Sequence, residues 1–298
     1  MKTSDVVRLI LLAALWGASF LFMRIAVPAF GSVNVAFLRV LLGFVGLAAI
    51  VLLNSQLRTF GGKLAPTLAL GIVNSGLPFL LYCIAARWLP TGYSAIFNAT
   101  APMMGALVGF SFFGEVITTR KLAGLITGLA GIVIISSPTY SDLGGTFIAG
   151  ALACLMATTC YGVAGYLTKQ WITDRGGLDP RMVALGSQAG ASIFLLPFFG
   201  WSLFSESNVN WLQPHVWGAV VALGLICTAL AYILYFRLIA DIGPLKSLTV
   251  TFIIPPFACL WGYLVLDETI GAQFIAGACL IGIAVWMVCY SGRKMHNS

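Results

Sequence analysis

The chain has 298 residues, of which 60% are hydrophobic and only 8% are charged. Because a soluble domain usually carries about a quarter charged residues, this composition excludes a water-soluble globular protein and indicates that the chain's main partner is the lipid bilayer. The net charge of +7 does not indicate a nucleic-acid partner, since the basic residues stand singly or in pairs between apolar runs and form no basic stripe or tail.

Ten continuous apolar runs follow one another, each about as long as a helix that crosses a bilayer. The first follows Lys2 and Arg8 as the core of a signal peptide would, but its removal would break the internal symmetry described below, so we interpret it as the first span. Because the runs do not alternate, they exclude the strands of a membrane β-barrel. The predicted fold is an all-α integral membrane protein with transmembrane helices at 7–27, 33–53, 65–86, 91–113, 121–138, 147–170, 181–201, 214–238, 246–266 and 271–291.

Polar and aromatic side chains recur at helical spacing inside several spans, as Asn74, Pro78 and Tyr82 do in the third. Such groups at membrane depth normally face protein or water, and aromatic faces can hold a ring or an ammonium group. For any single residue, an interface belt or ordinary helix packing remains the alternative. We predict a central substrate cavity lined by Trp16, Phe20, Asn74, Pro78, Tyr82, Asn98, Tyr161, Tyr166, Thr228, Tyr232 and Tyr235.

The fourth predicted span contains Pro102, and the ninth contains Pro255 and Pro256. A proline ring removes one helical hydrogen bond, which frees the carbonyls of Asn98 and Thr251 in the two spans. These prolines are predicted to act as kinks or hinges, and direct contact of the freed carbonyls with substrate remains equally open.

Basic residues are distributed unequally between the two sides of the predicted spans. Thirteen Lys and Arg residues fall on the side that holds both termini, and three fall on the other: Arg24, Arg39 and Arg87. The positive-inside rule therefore predicts a multi-pass protein of a bacterial inner (plasma) membrane with both termini in the cytoplasm. Arg39 sits deeper in its span than the others and is predicted either to support helix ends or to hold a substrate carboxylate, with the structural role preferred.

An internal repeat appears when residues 69–124 are compared with 222–277 at a shift of 153 residues, with fourteen of 56 positions identical. Upstream, a shift of 145 pairs Trp16 with Tyr161. Each unit, predicted at 1–140 and 141–298, has five spans, so the second must enter the membrane from the opposite face. Inverted repeats of this kind are typical of secondary transporters, whose substrate site lies between the copies. The matched residues include the pairs Gly71 and Gly224, Tyr82 and Tyr235, Pro102 and Pro255, and Glu115 and Glu268.

Small residues form a flat face on the fifth span, where Gly124, Gly128 and Gly131 share one side. Faces of this kind allow helices to approach closely. This one predicts either a contact between the last spans of the two copies or a homodimer, and the sequence leaves both open.

Several of these motifs resemble a known family. The first two spans carry Leu15-Trp16-Gly17 and Phe37-Leu38-Arg39, and both copies carry a Pro…Glu…Gly run, in which Asp267 stands where the first copy has Gly114. Over nearly the whole chain this pattern resembles the EamA family of the drug/metabolite transporter superfamily. The resemblance implies ten helices with cytoplasmic termini and export of small metabolites, with aromatic and other neutral amino acids as the favoured substrates.

The sequence also allows predictions about the energy source for transport and about cofactors. No Asp or Glu lies well inside a span, and no Walker motif is present, so we predict facilitative transport or exchange, with proton antiport of another metabolite or drug as the alternative. Two histidines and seven scattered cysteines predict no metal site, and no cofactor is expected. An intramembrane enzyme is disfavoured because HExxH, GxSxG and paired carboxylates within a span are missing.

Overall fold

The computed structural model describes residues 2–53, 59–136, 144–205, 209–242 and 250–289. Within these ranges the chain forms ten long helices and no β-strand. The helices are α1 (Thr3–Phe30), α2 (Ser32–Leu53), α3 (Leu64–Ala85), α4 (Thr91–Phe112), α5 (Thr119–Ser136), α6 (Gly144–Trp171), α7 (Pro180–Ser205), α8 (segments Pro214–Val221, Ala222–Leu230 and Ala231–Ile242), α9 (Val250–Leu266) and α10 (Ala272–Cys289).

The ten predicted spans are confirmed, with ends that differ from the helices by a few residues. Eight helices of the described chain are long and apolar enough to cross a membrane, and α9 is a shorter apolar helix. The predicted span ends at 137–138, 246–249 and 290–291 lie outside the described residues.

Apolar side chains cover the outward faces of the helices. On α5, for example, Ile126, Leu129 and Val133 form an exposed stripe at helical spacing, and Trp201 and Phe204 are exposed near the end of α7. A water-soluble protein would bury such continuous apolar surface. The helices therefore present their outer faces to lipid, and the chain is a multi-pass membrane protein.

The helices pack with a pseudo-twofold relation that matches the sequence repeat. The first helix of each copy crosses the fourth helix of the other copy at a glycine. A Cβ added at Gly17 of α1 would lie 2.9 Å from the backbone nitrogen of Ala258 on α9, and one at Gly162 of α6 would lie 2.9 Å from the Cα of Gly105 on α4. Because Gly105 and Ala258 are partners at the 153-residue shift, these crossings are one interaction repeated in two inverted copies.

The small-residue face of α5 packs against α10 of the same chain. A Cβ at Gly124 would lie 2.9 Å from the carbonyl oxygen of Ala284, and one at Gly131 would lie 2.9 Å from that of Gly277. Of the two alternatives left open by the sequence, the structure shows the contact between the last helices of the two copies. This face is therefore occupied within one chain and is not free for a homodimer.

Two helices widen into π-helical turns at corresponding places, Ile72–Gly76 in α3 and Ala222–Leu230 in α8. In α3 the wider turn is explained by Pro78. This residue has no N–H to donate to the carbonyl of Asn74, four residues earlier, and its ring crowds that oxygen. In α8 the hydroxyl of Thr228 donates a hydrogen bond to the Leu223 carbonyl at 2.9 Å. Both copies thus place an irregular turn near the middle of their third helix.

The prolines of the fourth helices have different effects. Helix α4 is interrupted between Thr91–Asn98 and Ala101–Phe112, directly before Pro102. Helix α9 continues through Pro255 and Pro256 without a break in its described part. The interruption in α4 frees backbone groups beside Asn98, as the proline predicts.

Candidate substrate site

Tyr82 contacts three other predicted site residues. Its hydroxyl donates a hydrogen bond to Asn98 Oδ1 at 2.8 Å, which joins α3 to the interrupted part of α4. The Phe20 ring of α1 meets Tyr82 edge-on at 5.5 Å between centroids, and the Tyr161 ring of α6 stacks on it at 6.3 Å. Helices from both copies therefore contribute to one aromatic cluster.

A second aromatic pair repeats this arrangement. Trp16 of α1 and Tyr235 of α8 lie 5.3 Å apart between ring centroids. Since Trp16 is the repeat partner of Tyr161, and Tyr235 that of Tyr82, the two pairs are the same contact in the two copies. Each pair joins the first helix of one copy to the third helix of the other.

A polar group of residues lies between the two π-helical turns. Thr228 Oγ1 accepts a hydrogen bond from Arg39 Nε at 3.3 Å, and Gln188 Nε2 donates to Ser75 Oγ at 3.0 Å. Ser75 and Gln188 also lie within hydrogen-bonding reach of the Tyr232 hydroxyl. At the 153-residue shift Ser75 and Thr228 are partners, so each copy supplies one hydroxyl to this group.

Several side chains of the aromatic pairs and of the polar group are partly exposed. Trp16, Tyr161, Tyr232 and Tyr235 are half-buried by surface area.

The remaining predicted residues occupy different positions. Asn74 is half-buried in the π-helical turn of α3, and Pro78 is buried in the turn that follows. Pro102 is half-buried and Pro255 is buried, whereas Pro256 is exposed on the outer surface of α9.

Tyr166 stands apart from the aromatic cluster. Its ring stacks on Phe113 at 4.3 Å between centroids, near the end of α4 on the side of the N-terminus. Its hydroxyl interacts with Glu115, which also lies 3.5 Å from Lys121 Nζ. Five residues along a helix carry a side chain about 140° around the axis, so Tyr161 and Tyr166 of α6 point to different neighbours.

The sequence analysis left a carboxylate-binding role open for Arg39 and did not name Phe79 or Gln188, and all three lie beside the predicted site residues. The Arg39 guanidinium lies 3.6 Å from the centroid of the Phe79 ring. Gln188 is fully buried in the middle of α7. A polar amide inside an apolar span is a signal that could have identified it.

Glu268 links several helices at the end of the protein opposite the N-terminus. Its carboxylate accepts hydrogen bonds from the Thr91 backbone N–H at 2.8 and 3.1 Å and from the Thr91 hydroxyl at 3.2 Å, and it lies 3.9 Å from Arg24 Nε. Burial raises the pKa of the Glu268 carboxyl above its ordinary value, and the Thr91 donors and the Arg24 charge offset part of that rise. We refer to Glu268, Thr91 and Arg24 as the end clamp.

The same end of the protein carries a cavity of about 690 Å³ between the ends of α1, α2, α3 and α7. Its lining includes Pro28, Ser32, Ile84, Arg87 and Ser205, and it contains none of the predicted site residues. In the part of the chain that the structure describes, no group of three or more His, Cys, Asp or Glu side chains could hold a metal ion.

Comparison with known proteins gives a family and several relatives. The EamA-like transporter family matches the chain twice, at residues 6–137 and 148–290. An uncharacterized transporter of Archaeoglobus fulgidus is 23% identical over 94% of this chain and 96% of its own, and YoaV, an uncharacterized transporter of Bacillus subtilis, is 21% identical over the same shares. A probable terminal-alkyne amino-acid exporter of Streptantibioticus cattleyicolor is 25% identical over 94% of both chains. A protein of known crystal structure, 17% identical, superposes over 100% of both chains with a TM-score of 0.66 and so shares the fold.

Proposed function

The chain belongs to the EamA-like transporter family, and from that membership we propose that it exports small metabolites across a bacterial inner membrane. Aromatic and other neutral amino acids are the proposed substrates. Transport is proposed to be facilitative and to proceed by alternating access, with both termini in the cytoplasm, as the distribution of basic residues predicts.

The observation that carries this proposal is the duplicated aromatic contact between the copies. Trp16 with Tyr235 and Tyr161 with Tyr82 join opposite copies. Alternating access requires the copies to move against each other around a site between them. Residues at such an interface change their separation in each cycle and are well placed to hold a cargo.

The chemistry of these side chains favours an aromatic or apolar amino acid. Aromatic rings bind other rings by offset or edge-on stacking and attract ammonium groups to their faces. The interrupted α4 adds backbone carbonyls beside the half-buried side chain of Asn98, which are acceptors for an ammonium group. The relative from S. cattleyicolor is named an amino-acid exporter, which supports the same substrate class.

The prolines give this mechanism candidate hinges. The break before Pro102 is proposed to let the two halves of α4 change their angle. Pro255 and Pro256 are proposed to let α9 bend in the opposite phase of the cycle.

Purified protein in liposomes tests the proposal. The liposomes are loaded with a mixture of amino acids and common metabolites, and loss of each is compared with that from protein-free liposomes. Selective loss of aromatic or neutral amino acids without any ion gradient is the expected result. Loss of none of the amino acids would overturn the proposed substrate class.

Proton-coupled export is the second candidate, and the end clamp favours it. The pKa of the Glu268 carboxyl is raised by burial, so this group exchanges its proton nearer to neutral pH than an ordinary carboxylate. An inward proton gradient that drives amino acids out against their own gradient would establish this candidate in place of facilitative export. No uphill flux under that gradient would exclude it.

A further inference from the structure

Arg39 places a positive charge inside the membrane-spanning part of the protein. It lies two helical turns from the start of α2, about 10 Å along the axis, and its side chain is only 5% exposed. Its guanidinium carbon lies 3.6 Å from the centroid of the Phe79 ring of α3, and Nε donates to Thr228 of α8. Three helices from both copies thus hold the group in one orientation.

No protein anion neutralises this charge in the described part of the chain. Among these residues, no carboxylate oxygen lies within 4.0 Å of Arg39. The described acids instead lie in loops or at helix ends: Asp5, Glu115, Asp174, Asp179, Asp241, Asp267 and Glu268.

The hydrogen-bonding capacity of Arg39 is also incompletely used. A guanidinium carries five N–H donors in a planar fork. Nε bonds to the Thr228 hydroxyl, and Nη1 lies 3.4 Å from the Met23 sulfur, which is a weak acceptor. No other acceptor for Arg39 is found among the described residues. The two Nη groups therefore keep donors that a bidentate acceptor could use.

The surroundings of Arg39 are polar but uncharged. The hydroxyl of Ser75 faces the Gln188 amide on α7, while its repeat partner Thr228 faces the Arg39 guanidinium on α2. The Gln188 side-chain oxygen is buried without a hydrogen-bond partner. A backbone that is nearly twofold symmetric thus carries one cation on one side only, which suits a ligand with a single anionic end.

An isolated charge at membrane depth is costly, and such groups normally pair with another group or mark a substrate pathway. We propose that Arg39 binds the carboxylate of the transported molecule and so restricts the site to small carboxylates of the amino-acid type. This inference rests on the proposed export function and deepens it. The aromatic pairs beside Tyr82 and Tyr235 would then receive the side chain of the same molecule.

The test compares ligands that differ only at the carboxylate. Counterflow of labelled L-phenylalanine is measured in liposomes while unlabelled L-phenylalanine, L-phenylalaninamide or 3-phenylpropionate competes. Competition avoids the passive leak of uncharged amines through lipid. We expect phenylalanine and 3-phenylpropionate to compete and the amide to be weaker by at least about tenfold, because it cannot accept the charge-assisted fork.

Variants of the arginine supply the second arm. Arg39→Gln is expected to lower the apparent affinity for phenylalanine by at least about tenfold and to abolish the preference for acid over amide. Arg39→Lys keeps the charge and loses the fork and the stacking on Phe79, so a raised KM at a nearly unchanged kcat is expected. Arg181→Gln, an exposed arginine at the start of α7, is the matched control and should leave both quantities unchanged.

Each remaining outcome counts against a stated claim. If wild-type protein moves no amino acid, the proposed function is overturned and the inference with it. If phenylalanine is transported but its amide competes equally well, the inference alone is overturned. If Arg39→Gln does not fold, the wild-type ligand comparison and Arg39→Lys decide, and a thermal-stability shift of wild-type protein with phenylalanine but not with the amide is the expected direct sign of binding.

Discussion

Single side chains fix the geometry of the candidate site, and Tyr82 is the most connected of them. Tyr82→Phe removes the hydroxyl that donates to Asn98 while leaving both ring contacts intact. Because Asn98 is only half-buried, we expect a modest loss of unfolding free energy of about 0.5–1.5 kcal/mol. We also expect slower export, since the interrupted part of α4 is less firmly positioned. Thermal unfolding in detergent and counterflow measure the two effects, with the exposed Tyr263→Phe as control. Equal behaviour of the two variants would contradict this role.

The end clamp predicts that the stability of the protein depends on pH through one carboxyl group, that of Glu268. The folded-state pKa of Glu268 is raised, so the protonated form is favoured by folding. Its contribution to stability is therefore fully present below the unfolded-state pKa, about 4.3, and is lost as pH rises through the folded pKa. We expect Glu268→Gln to flatten the stability profile in this window, while the exposed Asp174→Asn leaves it as in wild type. A wild-type slope retained by Glu268→Gln would assign the dependence to another group.

At the scale of helices, packing depends on glycines at the crossings between the copies. Gly162→Ala places a Cβ 2.9 Å from the Cα of Gly105, where backbone must move, and should cost about 1–3 kcal/mol of unfolding free energy. Gly165 lies on the same helix with no atom within 4 Å of an added Cβ. Gly165→Ala should therefore be neutral or stabilise by up to about 1 kcal/mol through helix propensity. Thermal unfolding of both variants in one detergent provides the measurement, and similar losses would show that the crossing is not tight.

The sequence predicts the helices well and their irregular turns poorly, for a physical reason. Apolar length and the positions of Lys and Arg determine the spans, and both can be read from composition along the chain. The π-helical turn at 72–76 precedes Pro78, but the one at 222–230 depends on local hydrogen bonds such as that from Thr228 to Leu223, which leave no distinct pattern in a uniformly apolar run. Sequence pattern likewise could not decide whether the Gly124 face meets α10 or a second chain, because small faces serve both uses.

The candidate site could likewise be predicted from the sequence only in part. Tyr82, Asn98 and Tyr161 were predicted as a set because polar and aromatic groups inside spans recur in both copies. Tyr166 shares that pattern but meets Phe113 instead, since helical phase decides which neighbours a side chain reaches. The environment of Arg39 could not be predicted, because it is created by residues 40 and 189 positions away in the chain, Phe79 and Thr228.

Considered as a whole, the molecule is two inverted copies, and the proposed alternating access would open their interface first at one end and then at the other. The end clamp holds the beginning of α4 to the loop between α9 and α10, and in the proposed cycle it would break when the site opens on that side. Cys259 of α9 lies directly behind it, since a Cβ added at Gly92 would lie 2.7 Å from its sulfur. This thiol is therefore a natural reporter of clamp opening.

We predict that Glu268→Ala increases the population open at this end. In protein whose other six cysteines are replaced by alanine, a membrane-impermeant maleimide should modify Cys259 severalfold faster in Glu268→Ala than with Glu268 intact. Glu115→Ala, the repeat partner at the opposite end, should leave the rate unchanged or lower it, because release of that end favours the opposite state. Equal rates in all three proteins would mean that the clamp does not control access. Faster labelling in both variants would mean that the two ends open independently, which alternating access forbids.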